Sequence, residues 1–107
     1  MQFQLFKVKS CVLMAQRIIY KIRNAVKSGN YDMTHHATEE MAEDNLGIYD
    51  VECAILNGKI IKKEKDALRG VNFVIKGVGV DISTSIGIVG RFKETGVFLI
   101  ITVYKII

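Results

Sequence analysis

The feature that most limits what this chain can fold into is a change of hydrophobic period at Gly58. Before it, apolar residues recur at helical spacing. After it come four β-branched runs, KIIKKEK from Lys59, VNFVIKGVGV from Val71, TSIGIVGRF from Thr84 and GVFLIITVYKI from Gly96. Runs of this kind bounded by turn residues read as strands, and the intervening DALRG and KETG are natural turns, with VDIS a weaker one. Helices first and strands afterwards predict an α+β fold, with about three N-terminal helices packed on one face of a four-stranded antiparallel sheet. The last run is almost entirely apolar, which predicts a place inside the sheet, covered on both faces.

The helical half resolves into three amphipathic segments. From Met14 to Ser28, Ala15, Ile18, Ile19, Ile22, Ala25 and Val26 share one arc at 100° per residue, and Arg17, Lys21, Arg23 and Lys27 fill the other. Gly29 is placed to cap this helix in a left-handed conformation. A second helix over 35–45 has Thr34 as N-cap, with Glu39 and Glu40 close to its positive end. Ala37 stands where a capping box would want Glu. A third, over 49–57, presents Val51, Ala54 and Ile55 as a seam and carries Gly58 at its expected C′ position. The glycines of KGVGVD and GIVGRF precede no helix, so they predict bulges or close packing rather than a phosphate loop.

With 107 residues, half of them apolar, the chain suits one domain that needs neither a disulfide nor a metal to fold. Residues 15–107 are expected to form that domain, with 1–14 as an N-terminal extension. No run approaches the roughly 20 apolar residues of a membrane helix. The N-terminus has no secretory pattern, so a cytoplasmic protein away from membranes is expected. Cys11 and Cys53 then read as reduced, small core hydrophobes.

Net charge is +4, but it is divided sharply. Between Ser28 and Gly58 lie seven acidic residues and no Lys or Arg, a net of −7. The remainder holds all fifteen basic residues and four acidic ones, a net of +11. Such a chain can attract a polyanion on one surface and a basic partner on another, although solvated element faces would give the same pattern.

Two groups of residues carry candidate chemistry. The first is YDMTHHATEEMAEDN, with tandem histidines at a helix start. Adjacent helical residues diverge, and no second ligand cluster accompanies them, so metal binding is not expected. A histidine beside the positive end of a helix favours its neutral form, and His36 one turn from Glu39 or Glu40 makes an acid–base couple. Plain surface or capping duty is the competing reading. The second group is at the C-terminus. Alternation places Thr102 and Tyr104 on one side of the last strand, against Ile101, Val103 and Lys105, and Arg91 ends the preceding strand. An Arg, a Tyr and a Thr on one sheet surface suit a phosphodiester, if register brings them together; the alternative is structural duty in a packed sheet.

Thr34, His36, Ala37, Glu39 and Met41, followed by DVECAILNGKII, DALRG, VIKG, VGRF and IITVY in that order, resemble a prokaryotic domain-of-unknown-function family, number forty-two fifty-eight, from about Ala15 to Lys105. That family is similar to the RelE-like toxins of the barnase–colicin–RelE superfamily, small metal-independent ribonucleases paired with an antitoxin. The resemblance implies a RelE-like α+β fold and an RNA endonuclease with no cofactor. It carries His36, Arg91, Thr102 and Tyr104 as catalytic positions, His36 as general base or acid and Arg91 on the phosphorane charge. Glu40 and Asp44 stand where many relatives place Arg, which weakens the expectation of RNA contact by the second helix. RNA attraction is expected from Arg17, Lys21, Lys62 and Lys63, and an antitoxin would meet the acidic segment. A non-catalytic protein-binding or regulatory module is the alternative, and an unpaired sheet edge leaves room for self-association.

Overall fold

The computed structural model describes residues 17–66, 68 and 70–107. Helix α1 covers residues 17–27 of this range. It is followed by β1 (Tyr31–Met33), α2 (His35–Glu43), α3 (Ile48–Asn57), β2 (Lys59–Asp66), β3 (Gly70–Val78), β4 (Ser85–Phe92) and β5 (Phe98–Ile106). The fold is α+β, but the sheet has five strands rather than four and is mixed rather than antiparallel, in the order β1-β5-β4-β3-β2. The four C-terminal strands pair antiparallel in sequence order, and β1 adds parallel to β5, Tyr31 opposite Phe98. Three residues are too few to display an alternation. β1 exists because the chain between two helix caps runs beside β5: Phe98 donates its amide to Asn30 O and Thr34 donates its own to Ile100 O.

The helix ends follow local chemistry. Gly29 takes φ 75°. Around it the amides of Gly29 and Asn30 return to the carbonyls of Val26 and Ala25, the Schellman pattern. Thr34 accepts the Ala37 amide at 3.1 Å and caps α2 as expected. Asn45, at φ 55°, closes α2 in a second Schellman turn, with Leu46 donating to Met41 O. Gly58 does not follow the expectation of a left-handed C′ residue, since it is the C-cap of α3 with φ −85°. Its glycine is required by contact instead: a Cβ there would overlap the carbonyl oxygens of Ala54 and Lys76.

One face of the sheet is the core face. Phe73, Ile75, Ile86, Ile88, Phe98, Ile100 and Val103 join Ile19, Ile22, Ala25 and Val26 of α1, Ala37 and Met41 of α2, and Val51, Ala54 and Ile55 of α3 in one buried cluster. Gly77 lets α3 settle on β3, because a Cβ at that position would run into the Ala54 backbone. Tyr31 of β1 donates a 2.5 Å hydrogen bond to Glu52 of α3, and burial together with that carboxylate pushes the phenol up to about 12. Arg23, expected on the basic side of α1, bonds Gly58 O at 2.9 Å and is half-buried. Met14 and Ala15, where the sequence expects the first helix to begin, the expected extension over 1–14 and Cys11 lie outside the described residues; Cys53 is half-buried and free.

Candidate functional site

β5 runs past its short partner β1, which leaves the edge from Ile101 to Ile106 without a strand. An unpaired edge exposes N–H and C=O groups that must find partners. Helix α2 supplies them from side chains. Thr34 Oγ1 donates to Ile101 O at 3.0 Å, Glu40 Oε1 accepts the Val103 amide at 3.1 Å and Asp44 Oδ2 accepts the Lys105 amide at 3.2 Å. Residues at helical spacing thus meet alternate residues of the strand. Two carboxylates of the acidic helix, Glu40 and Asp44, thus seal this edge.

His36 is one turn from Glu40, with Nε2 at 3.3 Å from Oε1, the same oxygen that holds Val103. His35 pairs separately with Glu39 at 2.6 Å. The carboxylate of choice for His36 is therefore Glu40, and the two side chains are unequal: His36 is 66% exposed and Glu40 is 22% exposed. A half-buried carboxylate tied to a backbone amide can orient the imidazole.

Register places the C-terminal candidates on the face opposite the core. Across this face one row runs Tyr104, Gly87, Lys76, Lys59, and the next runs Thr102, Val89, Val74, Lys62. Arg91, opposite Leu99, lies one pleat further along β4. Two residues of strand advance about 7 Å. Thr102 thus stands between Arg91 and Tyr104, each about 7 Å away along the strands, on one surface as the alternation predicts. Ile101 is the extra residue of a bulge opposite Val89 and Gly90. Val103, whose amide Glu40 holds, separates Thr102 from Tyr104, so the His36–Glu40 pair borders the strand that carries both. Among the described residues no hydrogen bond joins His36 to Arg91, Thr102 or Tyr104.

The cations expected to attract RNA are scattered by the fold. Lys62 shares the face of Tyr104. A bulge between Ile60 and Lys62 turns Lys63 to the opposite side. Lys21 Nζ sits 4.6 Å above the ring of Phe92, whose edge-to-face partner is the core residue Phe98, and Arg17 is exposed on α1. Lys76, which sequence reasoning passed over, lies with Lys59 in the row of Tyr104. Alternation marks Lys76 as a polar residue in an apolar strand, but only register shows what it faces.

Among the described residues no group of three or more His, Cys, Asp and Glu side chains is arranged to hold a metal ion, and no helix is long and apolar enough to cross a membrane. A family model described as "Domain of unknown function (DUF4258)" matches residues 33–105. No curated protein and no solved structure matches the chain.

Proposed function

The chain belongs to the DUF4258 family, and from the anchoring of the His36–Glu40 pair beside Thr102 and Tyr104 we propose that it is a RelE-like RNA endonuclease, cytoplasmic and restrained by an antitoxin protein. The single observation that carries this reading is the shared oxygen Oε1 of Glu40, which holds both the imidazole and the amide between the two polar residues of β5. The reaction requires no metal, because the nucleophile is the 2′-hydroxyl of the RNA itself. His36 takes the 2′-proton as the 2′-oxygen bonds to the adjacent phosphorus. The P–O5′ bond breaks, the departing 5′-oxygen gains a proton from Tyr104 or from the imidazolium, and a 2′,3′-cyclic phosphate remains. Arg91 neutralises charge that develops on the phosphorane and Thr102 orients a non-bridging oxygen.

Incubation of purified protein with RNA in EDTA is the direct test. Cleavage to cyclic-phosphate ends, lowered at least a hundredfold in His36→Ala and Arg91→Ala with thermal midpoints unchanged, is the expected result. Induction of the wild-type chain without an antitoxin should arrest bacterial growth, and His36→Ala should relieve it. Intact RNA with a folded wild-type protein would overturn the proposal.

A second reading, a non-catalytic protein-binding module, is favoured by a different observation. Tyr49, Val80 and Ile82 are exposed, and Asp50 Oδ1 accepts the Val80 amide, which ties the start of α3 to the β3–β4 turn. Ile82 also has φ 55°, a conformation that opposes its β-branched side chain. Saturable binding of a protein partner without RNA cleavage would select this reading.

A further inference from the structure

A cavity of about 330 Å³ opens at the end of the sheet away from Arg91, lined by Asn57, Lys59, Lys76, Gly77, Val78 and Ser85. Its walls are set by the fold. Asn57 donates to Val78 O and accepts from Val78 N, both within 2.9 Å, so its amide extends the ladder where β2 has not yet begun. That use commits Asn57 to the scaffold. The remaining polar side chains are uncommitted. Lys59 and Lys76 stand directly opposite each other, and neither ion-pairs with a carboxylate among the described residues. Ser85, opposite Val78, contributes a hydroxyl with no protein hydrogen bond among the described residues.

Two ammonium groups directly opposite on a sheet repel each other unless an anion lies between them. Tyr104 extends the same row. Its Cζ and Oη lie over Gly87, in the space a Cβ would occupy, so the phenol reaches across β4 on the side where Lys76 follows. Its hydroxyl also has no protein partner among the described residues. Two cations and two hydroxyls, none of them paired with a carboxylate among the described residues, form an environment for phosphate, whose oxygens accept several such bonds together.

We propose that this cavity is a phosphate-binding subsite in which Lys59, Lys76 and Ser85 hold a phosphodiester of single-stranded RNA next to Tyr104. The identity of the strand rests on the RNA-cleavage reading above, whereas the phosphate chemistry stands on the cavity itself. In this arrangement Arg91 and Thr102 serve one phosphate and the lysine row serves its neighbour, so the strand lies across β4 and the subsite sets its direction over the sheet.

The test uses the whole chain, a 2′-O-methyl oligoribonucleotide that cannot be cleaved, and inorganic phosphate. In the wild type the oligonucleotide should bind saturably, and Lys59→Gln with Lys76→Gln should weaken it at least tenfold. The slope of log affinity against log salt should fall by about 1.4, as for two lost contacts to a single strand. Both lysines are exposed, so the double variant should keep its thermal midpoint. Inorganic phosphate should shift the amide resonances of Val78 and Ser85 in the wild type and not in the double variant. Without phosphate shifts at Val78 and Ser85, unchanged oligonucleotide affinity in the double variant or no binding by the wild type overturns the subsite. Phosphate shifts without any lysine dependence of oligonucleotide binding overturn RNA as the source and leave a free phosphate. A wild type that binds through the lysines and cleaves nothing sinks the ribonuclease alone. One that cleaves while the double variant binds normally sinks the subsite alone.

Discussion

The two faces of the sheet are made from the same strands and the same alternation, yet they respond to opposite demands. On the core face, Ile75, Ile88 and Val103 form a fully buried row that ends in the partly buried Ile60. Gly77 beneath α3 removes a side chain so that backbone can approach backbone. On the other face the neighbouring row is Tyr104, Gly87, Lys76 and Lys59, and Gly87 removes a side chain so that a phenol can lie down. Two glycines ten residues apart thus do different work: one permits packing that holds the fold, the other makes room for a phenol on the opposite face. The lesson is that glycine in a strand has to be read through what it admits.

Substitutions at these positions break or sharpen the contrast. The largest effect is expected from Gly77→Ala. The new methyl would meet the helix backbone at Ala54, which no rotamer change can relieve, so a loss on the order of 3 kcal/mol or failure to fold is expected in urea denaturation. Next is the edge between the faces. Glu40→Ala leaves the buried Val103 amide without its acceptor and should cost about 1–2 kcal/mol, whereas Glu40→Gln, with an oxygen in the same place, should recover most of it. Equal losses in the two variants would show that the amide bond is not what Glu40 contributes.

A gain is expected at Ile82, which is 80% exposed and left-handed. Ile82→Gly removes a steric cost of about 1–2 kcal/mol and adds about 0.5–1 kcal/mol of backbone entropy loss, a net stabilisation of roughly 0.5–1 kcal/mol. A rise of a few degrees in thermal midpoint would confirm it; a fall would mean that the side chain has a contact that matters.

The core face also carries an alkaline limit. Tyr31 ionises at about 12 in the fold against about 10 in the open chain, so the folded state binds its proton more tightly. Its contribution is complete below pH 10 and is lost as pH rises from 10 through 12. Tyr31→Phe should flatten that part of the stability profile relative to wild type, and coincident profiles would refute the assignment. The smallest stability effect belongs to Gly87→Ala: Tyr104 can swing aside, so the change should stay within about 0.5 kcal/mol, the range of ordinary surface substitutions. The same substitution should impair oligonucleotide binding and cleavage, which separates the two faces by their readout. A large loss of stability would place Gly87 with Gly77.

Much of the local structure was legible because its causes are local. Thr34 caps α2 through its own Oγ1, Gly29 closes α1, and Val51, Ala54 and Ile55 are the buried seam of α3, all within a turn or two of the residues that announce them. Thr102 and Tyr104 share a face because strand alternation has period two. Other features were not legible. β1 has three residues and depends on β5, more than sixty positions away, for its hydrogen bonds. Gly58 carries the composition of a C′ residue while serving a contact to Lys76. Glu40 and Asp44 look like an acidic helix surface and are in fact acceptors for a strand edge.

The sequence by itself determined the α+β class, the four long strands, the caps at Thr34 and Gly29 and the buried seam of α3, since hydrophobic period and capping chemistry act over a few residues. Only the tertiary structure decided the fifth strand, the sealing of β5 by carboxylates, and the row that sets Lys59 and Lys76 beside Gly87 and Tyr104. Those depend on register between distant segments, and register follows from the combined packing of every strand against its neighbours rather than from any one of them.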